Sequence, residues 1–238
     1  MTSTTPPERI ESPAEQRRKL ILAHRLLIFS GSSWLLISWL LVIGLRRPLL
    51  PTIDTWLPGV RLMMSMAAVG LVIIWPMAAM TTTRSISPGR TLRESIVLLG
   101  LAQLIVWPAG LVTPWTMSRL ILLACVLTGW GLLAAGLTAW GRARPRAVCR
   151  TSIMGICLIM MLMAPALLLI SDTMNWPVAW SPLTNIWNLA GGGIDPPDQS
   201  EWVNAAILWA AAIASCLFAL VTRPESCQAH AGTRRLSP

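Results

Sequence analysis

Tyrosine is absent from this 238-residue sequence, phenylalanine occurs twice, and a single lysine stands among nineteen basic residues. Charge is scarce: Asp, Glu, Lys and Arg together make 12% of the chain, about half of the roughly 25% usual in soluble domains. So few charges cannot clothe a water-exposed globule, which excludes a soluble domain. Histidine occurs twice, at His24 and His230. Neither falls at the depth where a membrane haem needs axial ligands from facing helices. The five cysteines, Cys125, Cys149, Cys157, Cys216 and Cys227, form no C-x-x-C pair, so a metal site has no support. None is expected to face an oxidising compartment, so no disulfide is expected either.

Other absences narrow the chemistry further. There is no G-x-x-x-x-G-K-[ST] loop to hold ATP phosphates and no H-E-x-x-H motif, the first needed for nucleotide binding of that kind and the second for a zinc protease. Ion-coupled carriers and proton pumps place Asp, Glu, Lys or His inside their spans to carry charge. Here the deepest polar residues are Gln103 and Thr128, with Glu94, Arg119 and Asn204 near span ends. The expectation is a protein that is not an enzyme, with no catalytic, cofactor-binding or metal-ligating residues and no cofactor.

What is present is apolar: 54% hydrophobic residues, mean hydropathy +0.61, and 13 Trp, 12 Met and 18 Pro. A bilayer core of about 30 Å takes roughly 20 apolar residues in a helix. Six runs meet that length: 26–45, 62–80, 92–112, 120–140, 153–171 and 202–221. The predicted fold class is an all-α integral membrane bundle of six transmembrane helices with both termini cytoplasmic. A tail over 1–25 precedes the membrane domain at 26–222, and a second tail follows at 223–238.

Orientation follows from the arginines. With a cytoplasmic amino terminus, Arg9, Arg17, Arg18, Lys19, Arg25, Arg84, Arg90, Arg93, Arg142, Arg144, Arg146, Arg150, Arg223, Arg234 and Arg235 share the inner side, 15 of the 19 basic residues. Only Arg46, Arg47, Arg61 and Arg119 fall outside. This positive-inside bias accounts for the net charge of +9 without nucleic acid, and the partner it implies is the lipid bilayer of a cell (inner) membrane. The first apolar run is span-length with no small-x-small site after it, so it is expected to be a span and not a cleaved signal. Ser12-Pro13-Ala14-Glu15 has the form of a helix start. Beyond it, Leu20, Ala23 and Leu27 oppose Arg17, Arg18 and Arg25, as in an amphipathic entry helix; a plain solvated extension of the first span fits equally.

Small residues mark two packing faces, Gly131, Ala135 and Ala139 in span four and Ala206, Ala210 and Ala214 in span six. Such rows let helix backbones approach closely in lipid, against a helix of this chain or of a second copy, with packing within the chain the default. Trp75-Pro76, Trp107-Pro108 and Trp176-Pro177 are expected at interfacial helix ends, where Trp anchors and Pro disfavours helix in the residue before it. The connection between spans five and six runs to about 30 residues, where about 2 to 8 would suffice. Within it Ser181-Pro182 can start a short helix with Leu183, Ile186, Trp187 and Ala190 on one face, ended by Gly191-Gly192-Gly193. This helix is expected to be interfacial or re-entrant, or else a lid on the outer surface.

The run Gly131-Leu132-Leu133-Ala134-Ala135-Gly136-Leu137-Thr138-Ala139-Trp140, the basic turn from Gly141 to Arg150 and Met163-Ala164-Pro165-Ala166-Leu167 resemble the fourth and fifth spans of type 2 ABC transporter permease subunits. Ser181-Pro182-Leu183-Thr184 resembles the start of their outer helices. Where that family reads E-R-x-x-G-T-L, this chain reads Arg84-Ser85-Ile86-Ser87-Pro88-Gly89-Arg90-Thr91-Leu92-Arg93-Glu94, keeping Thr91-Leu92 without the leading Glu. The resemblance covers roughly residues 60–190. It implies a permease-like half, a homodimer, and a separate ATPase subunit contacted through Arg90, Thr91, Arg93 and Glu94. The alternative expectation is a structural or assembly subunit of a larger membrane complex.

Overall fold

The computed structural model describes residues 53–81, 86–144, 147–170 and 180–222, with isolated positions between 29 and 40. Every regular element among the described residues is helical. In chain order these are α1 (Ile53–Val69), a π-helical segment (Gly70–Ile74), α2 (Trp75–Met80), α3 (Pro88–Ala109), α4 (Met117–Arg142), α5 (Ala147–Ile170), α6 (Pro182–Gly191) and α7 (Gln199–Val221). The α1–π–α2 rod, α3, α4, α5 and α7 are each long and apolar enough to cross a membrane, giving five candidate spans. They match the second to sixth expected spans. The first expected span, both tails and residues 171–179 of the long connection lie largely or wholly outside the described residues.

Helix α4 is the axis of the bundle. Within the most apolar 18-residue stretch of each span, 67% of α4 is buried but only 22% of α5 and of α7. The main core gathers on it, with Leu122, Leu123, Val126, Leu127 and Ala134 meeting Met63, Met64, Ala67 and Leu71 of α1 and Leu98, Leu99 and Ala102 of α3. A smaller cluster of Met80, Ile153 and Cys157 closes the end near Arg142.

The rod that begins at Ile53 starts earlier than the expected span because neither Pro58 nor Arg61 stops it; the Arg61 guanidinium is satisfied by a neighbouring helix, as described below. Pro76 does not end it either. Proline removes one N–H and its ring strikes the carbonyl four residues back, here Val72. The rod answers by widening into the π segment, where the Trp75 N–H donates to Gly70 O, five residues back. Trp75 consequently departs from the interfacial expectation: it is buried, and its Nε1 donates to Ser95 Oγ at 3.1 Å. Trp107-Pro108 does fall in the last turn of a helix, with Trp107 44% exposed.

The two small-residue rows fare differently. Gly131, Ala135 and Ala139 are buried, and a Cβ on Gly131 would strike Leu99. Ala206, Ala210 and Ala214 instead lie on the exposed side of α7, away from its contacts with the other described helices. The face that packs is one position over, Ala205, Leu208, Ala212 and Ala219. It meets a second small-residue row of α4, Gly129 and Gly136, seven residues apart. A Cβ on Gly136 would meet the backbone of Ser215 and Cys216, and one on Gly129 would press on Leu208 at 3.0 Å. Trp209 Nε1 donating to Cys125 O at 3.0 Å seals the same crossing. Asp198-Gln199-Ser200-Glu201 opens α7 with the Glu201 carboxylate accepting from the Asp198 N–H at 3.0 Å, the reciprocal half of a capping box.

Candidate functional site: buried arginines at both ends of α4

An arginine side chain in an apolar bundle must find partners for up to five N–H donors or leave a charge uncompensated at a cost of several kcal/mol. Helix α4 carries one near each end, and both are buried, Arg119 at 4% exposure and Arg142 at 1%.

At the Arg142 end, Nη1 donates to Glu94 Oε2 at 3.0 Å and to Thr91 Oγ1 at 3.3 Å. Glu94 is itself 3% exposed and lies 3.4 Å from Arg90 Nε through its other oxygen. The backbone joins in, with the Ile86 N–H donating to Arg142 O at 3.3 Å. Ser95 Oγ, which accepts from Trp75, donates to Thr91 O at 3.0 Å. The chain of contacts therefore runs from α2 through the first two turns of α3 into the last turn of α4. Of the four residues expected to contact a partner, Thr91 and Glu94 turn inward onto Arg142, whereas Arg90 and Arg93 are exposed. Beside them Arg144 stacks on the Trp140 ring at 4.2 Å, and Trp140 packs against Phe218 with centroids 5.9 Å apart, tying the end of α7 to α4.

At the other end the short helix forms as the spacing predicts, over Pro182–Gly191, with Ile186 and Ala190 buried and Leu183 partly so. Trp187 is 40% exposed, with the Arg61 guanidinium 4.3 Å over its ring. Leu189, absent from the expected face, is buried. Ser181 precedes the helix with its carbonyl accepting from the Asn185 N–H at 3.0 Å. Its hydroxyl does not cap the helix but donates to Met161 O of α5 at 2.9 Å. Met161 lies about 14 Å along the α5 axis from Ile170 at 1.5 Å per residue, so α6 begins well inside the bundle.

Its other terminus is clamped. The last carbonyls of a helix have no partner of their own and carry partial negative charge. Those of α6 receive side-chain donors from α1, from α4 and from the connection between α3 and α4. Arg61 Nε and Nη2 donate to Trp187 O at 3.2 and 3.1 Å, Arg119 Nη1 to Leu189 O at 3.0 Å, and Trp115 Nε1 to Ala190 O at 3.1 Å. Arg119 reaches on to Asp195 O at 2.9 Å and Pro196 O at 3.5 Å. The glycine run is what lets the guanidiniums in. A Cβ on Gly191 would meet Arg61, and one on Gly192 would overlap Arg119; Gly193 then turns the chain with φ +59.

Between the two ends, the deepest polar residues of the sequence meet. Gln103 Nε2 donates to Thr128 Oγ1 at 2.8 Å, and Thr128 Oγ1 donates to Ala124 O at 2.7 Å. The pair joins α3 to α4. Sequence reasoning named Gln103, Thr128, Glu94 and Arg119 as isolated polar residues, without their partners. It passed over Trp115 and the Gly129/Gly136 row, whose only signal was seven-residue spacing. No family model, curated protein or solved structure matches this chain.

Proposed function

We propose that this protein is a non-catalytic membrane subunit, the permease-like half of an ATP-driven transporter that dimerises and works with a separate ATPase. The observation that carries this reading is that one continuous helix, α4, is tied by buried arginines to α3 at one end and to α6 at the other. A partner acting on the Arg142 end thereby has a stiff mechanical link to the short helix at the far end. In this reading the Arg142 end faces the cytoplasm, as do both termini, and the Arg119 end faces outward. The described arginines divide accordingly: Arg90, Arg93, Arg142, Arg144 and Arg150 lie at one end, and Arg61 and Arg119 at the other. The latter two offset the positive-inside rule because α6 carbonyls hold them.

Helix α6 is in this reading a re-entrant segment on the outer side. Its start is shielded by protein through the Ser181–Met161 contact, as backbone at membrane depth requires. Every buried charge described above is engaged in holding helices together, which supports a subunit that moves or anchors over one that reacts. The substrate that suits an uncharged interior is apolar or amphiphilic.

Purification of the full chain from its own membranes in mild detergent tests the reading. A second copy and a nucleotide-binding subunit are expected in the complex, and a lone monomer overturns it. A stoichiometric complex without any nucleotide-binding chain would instead favour a structural or assembly subunit, for which the broad exposed apolar faces of α5 and α7 would serve as docking surfaces.

A further inference from the structure

The first turns of α3 frame a cavity of about 550 Å³ lined by Ser87, Gly89, Arg90, Arg93, Glu94 and Val97. Its one carboxylate is already engaged, Glu94 being shared between Arg142 and Arg90. Arg93 makes no ion pair or hydrogen bond among the described residues. Three guanidiniums thus face one carboxylate, and the two that border the cavity leave it with surplus positive charge. An apolar track continues from it. Residues 93, 97, 100 and 104 recur at the four- and three-residue steps that place side chains on one stripe of a helix. Val97 is 45% and Leu104 69% exposed, and Gly100 has open space where a Cβ would stand. From Arg93 to Leu104 the stripe is about 16 Å long, close to the roughly 15 Å of hydrocarbon in one leaflet.

We infer that this cavity binds the phosphate of an anionic lipid, with Arg90 and Arg93 on the headgroup and an acyl chain laid along Val97, Gly100 and Leu104. The inference rests on the reading of α3 as a membrane span whose Arg93 end lies at the interface. A free phosphate ion offers the same headgroup chemistry but has no use for the apolar track. An acidic protein surface would not need it either. Juxtamembrane arginines attract anionic lipid by about 1 kcal/mol each, or about fivefold in affinity per residue.

The test is lipid retention by the full-length, delipidated protein in mild detergent, counted by native mass spectrometry. The probes are phosphatidylglycerol, phosphatidylcholine and inorganic phosphate. One phosphatidylglycerol per chain should be held about 30-fold more tightly than phosphatidylcholine, the product of two arginine contributions, and millimolar phosphate should not displace it. Arg93→Gln, which breaks no contact among the described residues, should lose about fivefold. Gly89→Leu, where no atom lies within 4 Å of the added Cβ, should block the cavity with both arginines intact. Arg144→Gln, at the same end but outside the cavity, should bind as wild type. Equal retention of the two lipids, full competition by phosphate, or loss of an acidic partner chain with lipid retention unchanged in Arg93→Gln would each overturn the inference. Failure of the protein to integrate into membranes at all would instead overturn the spanning reading on which it rests.

Discussion

Arg119 and Arg142 stand near the two ends of the 26-residue helix α4, about 35 Å apart at 1.5 Å per residue. Both are buried, and they are neutralised in different ways. Arg142 has a carboxylate, Glu94, at 3.0 Å. Arg119 has carbonyl oxygens of Leu189, Asp195 and Pro196, so its charge is met by backbone dipoles at the end of a short helix. The first arrangement joins two long helices, and the second pins the end of a short one. Their substitution should therefore have different consequences.

Removing one partner of a buried ion pair strands the other and costs about 3–5 kcal/mol, whereas replacing both with apolar residues can be nearly neutral. Glu94→Leu and Arg142→Leu should each lower the thermal midpoint of the detergent-solubilised protein sharply. The double variant should be more stable than either single one. A double variant as unstable as the sum of the two would show that the pair carries no coupling.

The α6 clamp should fail without global unfolding. Gly192→Val places side-chain carbon where the Arg119 guanidinium sits and should release the last turn of α6, and Arg119→Leu should do the same. A cysteine introduced at Ile186, 1% exposed in the wild type, should then react with a maleimide at least tenfold faster in either background, while helical circular dichroism changes little. Unchanged labelling would mean that the apolar contacts of α6 suffice.

Alanines two positions apart on α7 should respond differently to the same change. Ala212 is fully buried whereas Ala210 is exposed. Overpacking costs about 1–3 kcal/mol, so Ala212→Leu should destabilise the isolated protein and Ala210→Leu should not. If Ala210→Leu leaves stability intact but abolishes co-purification of a second copy, that face is where copies meet.

The Gln103–Thr128 bond should be modest. Interhelical hydrogen bonds in membranes are worth about 0.6 to 2 kcal/mol. Thr128→Val leaves Gln103 Nε2 only its 3.4 Å contact with Ala124 O and should cost more than the joint Gln103→Leu, Thr128→Val change. Chemical denaturation in mixed micelles measures both.

How much of this was legible beforehand can be followed residue by residue. Span-length apolar runs set the all-helical architecture and the places of five helices, because lipid demands internally satisfied backbone over about 20 residues. The i, i+3, i+4, i+7 pattern from Leu183 to Ala190 set α6, and its glycines set where it ends. Polar residues in apolar runs also stood out singly, since each is costly there. Three things were not legible: the depth at which α6 begins, the side of α7 that packs, and the continuation of the rod through Pro76. The first two depend on partners distant in sequence, Met161 and Gly136, and the third on a local change of helix type, the π segment before Pro76.

The sequence by itself determined an all-helical chain with helices long and apolar enough to cross a membrane, because hydropathy acts locally and needs no knowledge of neighbours. Only the tertiary structure decided that Arg142 meets Glu94, that Arg119 and Arg61 close the end of α6, and that Gln103 meets Thr128. The physical reason is that a buried polar group declares only that it needs a partner. Which partner it finds is set by the rotation and crossing of whole helices, and those are fixed by packing across the entire bundle.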